Sequence, residues 1–584
     1  MTTPTAHTIT VREVLGKLEA EYAVVADAVE NGEYALWVGS GISRLAPDLG
    51  QLIERAFEYI RERAIDPTTK SAYMPALEEI LGYADIQPEN VTGQFDQPLK
   101  DWPEHDLIIG RLWNKYSCVL DIRVEGTALD HILWDAIDIR DAFHDPAPPA
   151  SEHLSIAVLV LEGAIQYIAS ANWDGFIEAA VDELSDGLPG VMQVVVDPDQ
   201  LRDPPGRAEL LKFHGCIVHA SSEPTIFRRF LTGSRTQITD WPETPEFRAM
   251  CNKIVGLATA KKTFVLGLSI QDNNLQTLFA RAKNIHAWPW PCAPEAPAHV
   301  FCEDRIQGGQ RDVLRISYGD AYNDNAKEIH DATLMRAWGE NVLIALVLKL
   351  LVDKLVRLVG LSLIELEKEP LVASIEAWLK ILRDDIAGCA IPAPGVNSRT
   401  EFVKKAISQW SRMLSLFRTG VLPKNPDAYE TLSNATPNLI STDHNARALG
   451  LGRLGIALAL LQSGRSAGLW ELSEPASSEL TSGAMTARAS RPESEERPLF
   501  VVRSATESIS LQSQGAFEHT NAIVIHADDS WHQMTRDGPS ARRVRTAPGR
   551  TGSVGAVHIS LGDLLMRCGD AGELHNEFIM DIML

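Results

Sequence analysis

Four short apolar runs set the strongest limit on what this chain can fold into. YALWV (34–38) runs into Gly39-Ser40-Gly41, and QYIAS (166–170) runs into Ala171-Asn172-Trp173-Asp174. Residues 210–213 run into His214-Gly215, and TFVLGL (263–268) runs into Ser269-Ile270-Gln271-Asp272. Each run is too short for a helix, ends in small or polar residues, and is followed by a helical pattern. Strands separated by helices pair in parallel through crossovers, not as hairpins. The expected fold class is therefore α/β, with a doubly wound parallel sheet. Residues 190–196 (GVMQVVV), 299–302 and 313–317 read as further strands, and the polar, Pro-containing residues 66–105 read as an insertion.

Beyond about residue 331 the pattern turns helical. The expected division is an α/β domain over 1–335, a helical region over 336–463, a Ser, Glu and Pro-rich linker over 464–498, and a small C-terminal α/β or β segment over 499–584. The helix starting at Asn341 is so apolar that it must be buried against protein. Lys349, Asp353, Lys354 and Arg357 interrupt it, which argues against a membrane span. Lys349, Asp353 and Arg357 fall four apart, with i,i+4 pairing available. The first residues show no basic region followed by an apolar one, so a cytoplasmic location is expected.

Composition narrows the function. The net charge is −24, which argues against broad nucleic-acid binding. The basic stretch Arg536, Arg542, Arg543, Arg545 and Arg550 reads as a solvated loop, with contact to nucleic acid or an acidic partner as the alternatives. The 7 cysteines form no C-x-x-C pair, so neither a zinc ribbon nor a disulfide framework is expected.

Each motif at a strand end has a plain structural reading. Gly39-Ser40-Gly41-Ile42-Ser43 is a phosphate-type loop or only a tight turn. Asn172 and Asp174 line a ligand crevice or cap a helix. His214 is a catalyst or a satisfied structural histidine. Ser269 and Asp272 contact a ligand or cap the next helix. No clear acidic residue ends a second strand to hold a ribose.

In this order the motifs resemble the sirtuin family, over about residues 20–330. Pro47-Asp48, Pro149 and His153 add to the resemblance. It implies a Rossmann-type domain in which Gly39, Ser40, Gly41 and Ser43 cradle the NAD pyrophosphate and Asp48 belongs to a mobile cofactor loop. It implies that Asn172 and Asp174 line the nicotinamide and ribose pocket, with Asn172 ordering the attacking water. It implies that His214 is a general base near the ribose, and that Gly267 and Ser269 contact the adenosine side. Asp272 matches a residue of the divergent bacterial branch.

The departures point to one branch. The two C-x-x-C pairs of a deacylating sirtuin are missing, and only Cys216, Cys251 and Cys292 lie nearby. Ala171 stands where a Gln is usual, and Leu49 and Gly50 stand where an aromatic residue and Arg follow Pro-Asp. The zinc module helps form the acyl-lysine groove, so cleavage of NAD by water becomes the simpler expectation. The chain looks like the zinc-free, sirtuin-like NADases of antiphage defence. That resemblance implies NAD as substrate, no metal, an off state before a trigger, and a homo-oligomer. It allows a HerA-like ATPase, an Argonaute-like protein or a phage structural protein as partner. The competing readings are a protein deacylase or ADP-ribosyltransferase, and a sensor or scaffold that binds NAD or an ADP-ribose derivative without turnover.

Overall fold

The computed structural model describes residues 5–113, 115–143, 147–392, 398–517, 521–528 and 556–582. Six strands form the first sheet: β1 (Tyr34–Val38), β2 (Tyr167–Ser170), β3 (Met192–Val195), β4 (Ala208–Lys212), β5 (Lys262–Leu266) and β6 (His299–Phe301). Their order is β3-β4-β2-β1-β5-β6, and every pairing is parallel. In the central register Leu36 faces Ile168 on one side and Phe264 on the other. β1 and β5 are buried at every position, which is why they read as continuous apolar runs and not as alternating ones. After β1 the chain builds β2, β3 and β4 on one side, then crosses to β5 and β6 on the other. A reversal of this kind opens a crevice at the carboxyl ends of the strands.

Residues 313–317 are not a strand. They lie within the helix Gly308–Tyr318, which buries Val313, Leu314, Ser317 and Tyr318. That burial has helical spacing, which a five-residue apolar run cannot reveal by itself. The expected insertion at 66–105 is also more than a polar excursion. It carries the helix Lys70–Tyr83, which packs on the helix Leu49–Ile65. Phe57, Leu77, Trp102 and Ile108 form a core there, joined by Cys216 and Phe230 from the segment after β4. A helical module thus faces the carboxyl edge of the sheet.

The helix Gly339–Glu365 joins the two halves of the molecule. Val342, Leu343, Leu346 and Leu350 belong to the core under the first sheet, and Leu355, Leu358, Val359 and Leu363 belong to a second core. Apolar partners on several sides explain its composition. Lys349 makes the expected pair with Asp353 at 2.6 Å and also meets Glu30 at 3.1 Å. Lys354 is fully buried against Glu162 at 2.7 Å. Glu162 also accepts from the Tyr429 hydroxyl and the Leu432 amide, each at 2.7 Å, so this buried pair is fully hydrogen-bonded.

The second sheet corrects the linker expected at 464–498. Its order is β11-β10-β9-β8-β7, and β7 (Trp470–Ser473) and β8 (Met485–Ala489) fall inside that segment. They pair antiparallel with each other and with β9 (Arg497–Val502). The parallel strands β10 (Ile523–His526) and β11 (Val557–Ser560) complete the sheet, so the C-terminal unit is α/β and starts before residue 499. Most of the Ser, Glu and Pro content belongs to the turns between strands, while Trp470 and Ala487 are buried. The basic stretch Arg536 to Arg550 lies outside the described residues. Among the described residues, no helix is long and apolar enough to cross a membrane.

Candidate functional site

All six strands are parallel, so the loops after β1, β2, β4 and β5 leave the same edge of the sheet. The side chains singled out from the sequence link these loops to one another.

The loop after β1 packs on the loop after β5. The Gly39 amide donates to Leu266 O and the Gly41 amide to Gly267 O, both at 3.1 Å. A Cβ on Gly39 would lie 2.5 Å from Gly267 O, and one on Gly41 would lie 2.6 Å from Gly267 Cα. Gly267 itself has φ +60. The neighbouring loop therefore demands these glycines whatever ligand approaches. The Ile42 and Ser43 amides donate to Gly39 O and Ser40 O. Four amides of the loop are thus spent within the fold, while Ser40 and Gly41 are exposed at its surface.

Asn172 ties the loop after β2 to this turn. Its Nδ2 donates to Gly39 O at 3.1 Å and to Ser43 Oγ at 3.0 Å. With both amide hydrogens committed, Asn172 has only the acceptor Oδ1 left to offer. Ser43 Oγ also meets His153 Nε2 at 3.3 Å. The Ala150 amide donates to His153 Nδ1, so the neutral ring carries its proton on Nε2 and donates it to Ser43. Burial brings the His153 pKa down to about 4, so the ring is neutral at pH 7. Ser43 thus accepts twice and keeps its own proton to donate.

Asp174 accepts from the Phe176 amide at 3.2 Å, at the start of the helix Phe176–Ser185. Gly175 takes the N-cap position without a side-chain bond, so Asp174 closes a turn just ahead of the cap. Lys212, fully buried at the end of β4, donates to Asp174 O and to Glu178 at 3.0 Å. It fixes the loop after β2 to β4.

His214 lies beyond Lys212 and is buried. Burial lowers its pKa to about 4, so it too is neutral at pH 7. Its Nε2 faces Asn274 Nδ2 at 3.1 Å. The Leu275 amide donates to Asn274 Oδ1 at 2.7 Å, which fixes the amide with its NH2 toward the ring. Nε2 is therefore the acceptor and Nδ1 carries the proton. A base role through Nε2 requires the Asn274 bond to be exchanged.

The remaining sequence candidates divide. Asp48 is exposed and caps the helix Leu49–Ile65 through a reciprocal bond pair with Gln51. Ser269 is half-buried and, among the described residues, makes no side-chain hydrogen bond. Its neighbour Ile270 is buried at φ +53, where a β-branched residue is strained. Asp272 precedes the helix Asn273–Ile285 but makes no side-chain cap bond. Burial raises its carboxyl pKa, and its charge reaches Tyr116 of the helical module.

Several site residues escape the sequence reading. Lys212 is a charged side chain at the end of a largely apolar strand, Asn274 is one of several polar residues opening a helix, and only the fold shows their partners. Glu303 is a further acidic residue beside a strand end, after the sixth strand and not a second one. It follows β6, is buried, and accepts from Gln307 and Gln310, each at 3.3 Å. Elsewhere the carboxylates of Asp27, Glu30 and Asp353 converge, but on the Lys349 ammonium. Scans against protein-family models and curated proteins give no match.

Proposed function

We propose that this protein is an NAD glycohydrolase that cleaves the nicotinamide–ribose bond with water, releasing nicotinamide and ADP-ribose. The Asn172–Ser43–His153 network at the carboxyl edge of the parallel sheet carries this reading. An oxocarbenium-like centre needs a placed water and fixed dipoles, not a strong acid. Nicotinamide leaves from a cationic ring, so no proton has to be delivered to it. The one free acceptor of Asn172, Oδ1, takes a hydrogen from the water and leaves its lone pair for the ribose C1′. The water releases one proton to solvent as the new C–O bond forms, so NAD+ and water give nicotinamide, ADP-ribose and one proton. Ser43 donates from the same wall, and neutral His214 offers its Nδ1–H to the ribose hydroxyls. Resemblance to the antiphage NADases makes the chain a defence effector, held inactive until infection.

A second reading is binding of NAD or an ADP-ribose derivative without turnover. The engaged Nε2 of His214 favours it, because the expected base has no free acceptor there. Deacylation has no such support, since Cys216 and Cys251 are buried in separate apolar cores.

The test incubates the full chain with NAD, alone and in extract of phage-infected cells, and follows nicotinamide by chromatography. Release that Asn172→Ala and His214→Ala abolish supports the hydrolase. Tight NAD binding with no release under either condition overturns it in favour of the sensor.

A further inference from the structure

Of the five amides over Gly39–Ser43, only that of Ser40 is left for a diphosphate among the described residues. The amides of Gly39, Gly41, Ile42 and Ser43 all donate to main-chain oxygens. A diphosphate carries two negative charges, and a cation beside the loop supplies charge-assisted bonds that the spent amides do not. Lys212 is not that cation, because its ammonium is buried and committed to Glu178 and the Asp174 carbonyl.

Arg44 follows the loop directly and its side chain is 51% exposed. Its Nε bends back to Gly41 O at 3.4 Å, which places the guanidinium beside the exposed turn. Its Nη2 lies 3.5 Å from Glu152 Oε1. A charge-assisted bond of full strength is shorter, about 2.7–2.9 Å, so Arg44 is held loosely. Glu152 is buried and has few donors of its own. The single Ser151 hydroxyl faces both Glu152 and Glu340 and can donate to only one at a time. Glu340 already has Arg399 at 2.8 Å, whereas among the described residues Glu152 has only Arg44 as a cation.

We infer that Arg44 is the cation that receives the diphosphate of a bound dinucleotide, and that Glu152 competes with that diphosphate for it. The inference rests on the nucleotide reading above and adds a residue that the resemblance does not assign. It requires only rotation of an exposed side chain about its own torsions. The two residues should then have opposite effects on binding. Removing Arg44 weakens the complex, and neutralising Glu152 strengthens it.

The test is calorimetric titration of the full chain with ADP-ribose and, in parallel, with adenosine, which has no diphosphate. Arg44→Gln is expected to weaken ADP-ribose binding about tenfold or more, the scale of one charge-assisted pair. Arg44→Lys should recover part of the loss, and Glu152→Gln should tighten binding. Adenosine binding should be unchanged in all three variants. Arg44 is exposed and Glu152→Gln keeps its shape, and opposite signs in the two variants are not what damage to the fold produces. Unchanged ADP-ribose binding in Arg44→Gln overturns the inference while leaving the nucleotide reading intact. Weaker binding in Glu152→Gln overturns the competition. Failure of the unmodified chain to bind ADP-ribose or NAD overturns the nucleotide reading itself.

Discussion

Asn172→Ala is expected to damage structure as well as chemistry, and the size of the damage follows from two bonds. The substitution removes donors to Gly39 O at 3.1 Å and to Ser43 Oγ at 3.0 Å in a buried setting. At about 1 kcal/mol each, the loss is about 2 kcal/mol. A chain with several cores does not unfold in one step, so a global melt is a poor reporter. Hydrogen exchange of peptides covering Gly39–Ser43 reads the local opening directly. A loss of about 2 kcal/mol speeds exchange there roughly 30-fold, while peptides from β10 and β11 stay unchanged. Ser43→Ala removes one of the same two bonds, so the double variant should be less than additive by about 1 kcal/mol. Exchange at wild-type rates in Asn172→Ala, or strict additivity with Ser43→Ala, would refute the network. The experiment also separates roles, because a variant that loses activity far beyond its local destabilisation has lost a catalytic group.

Gly41→Ala puts a Cβ 2.6 Å from Gly267 Cα and should cost about 1–3 kcal/mol as the two loops part; denaturant titration with NAD binding alongside checks it, and wild-type values for both would count against the loop contact. Lys354→Met strands the fully buried Glu162 and should cost roughly 3–5 kcal/mol; adding Glu162→Gln should restore part of it in urea unfolding, and no recovery would deny the pairing. His214 has a folded pKa lowered to about 4 from 6.5, so the unfolded chain binds its proton first as pH falls. Its contribution is complete above pH 6.5 and is lost by about 3 kcal/mol on reaching pH 4. His214→Gln should flatten that acid slope in pH-dependent melts, and an unchanged slope would show that His214 is not held neutral.

The legibility of the fold varied with the kind of information each element needs. β1 announces itself because burial on both faces leaves no charged position in YALWV, and β5 through its apolar stretch Phe264–Leu266. Residues 313–317 mislead because a short apolar run fits either period. The 464–498 segment misleads because its turn composition outweighs two short strands, and Trp470 buries only against the helix Leu451–Ser466 while Ala487 buries only between β7 and β9. In the site, the sequence marks which residues end strands, and the parallel topology then places them on one edge. It does not mark which loops touch. That Gly41 meets Gly267, that Asn274 meets His214 and that Arg44 meets Glu152 follow from strand order and crossovers, which no local window contains.

The central claim is that water attacks the ribose of NAD in this site. The most direct measurement incubates the full chain with NAD in 18O-water, in extract of phage-infected cells, and analyses the products by mass spectrometry. The account predicts free nicotinamide and ADP-ribose bearing one 18O at C1′, both absent with Asn172→Ala. NAD recovered intact, or nicotinamide released with no 18O in the partner product, would contradict it.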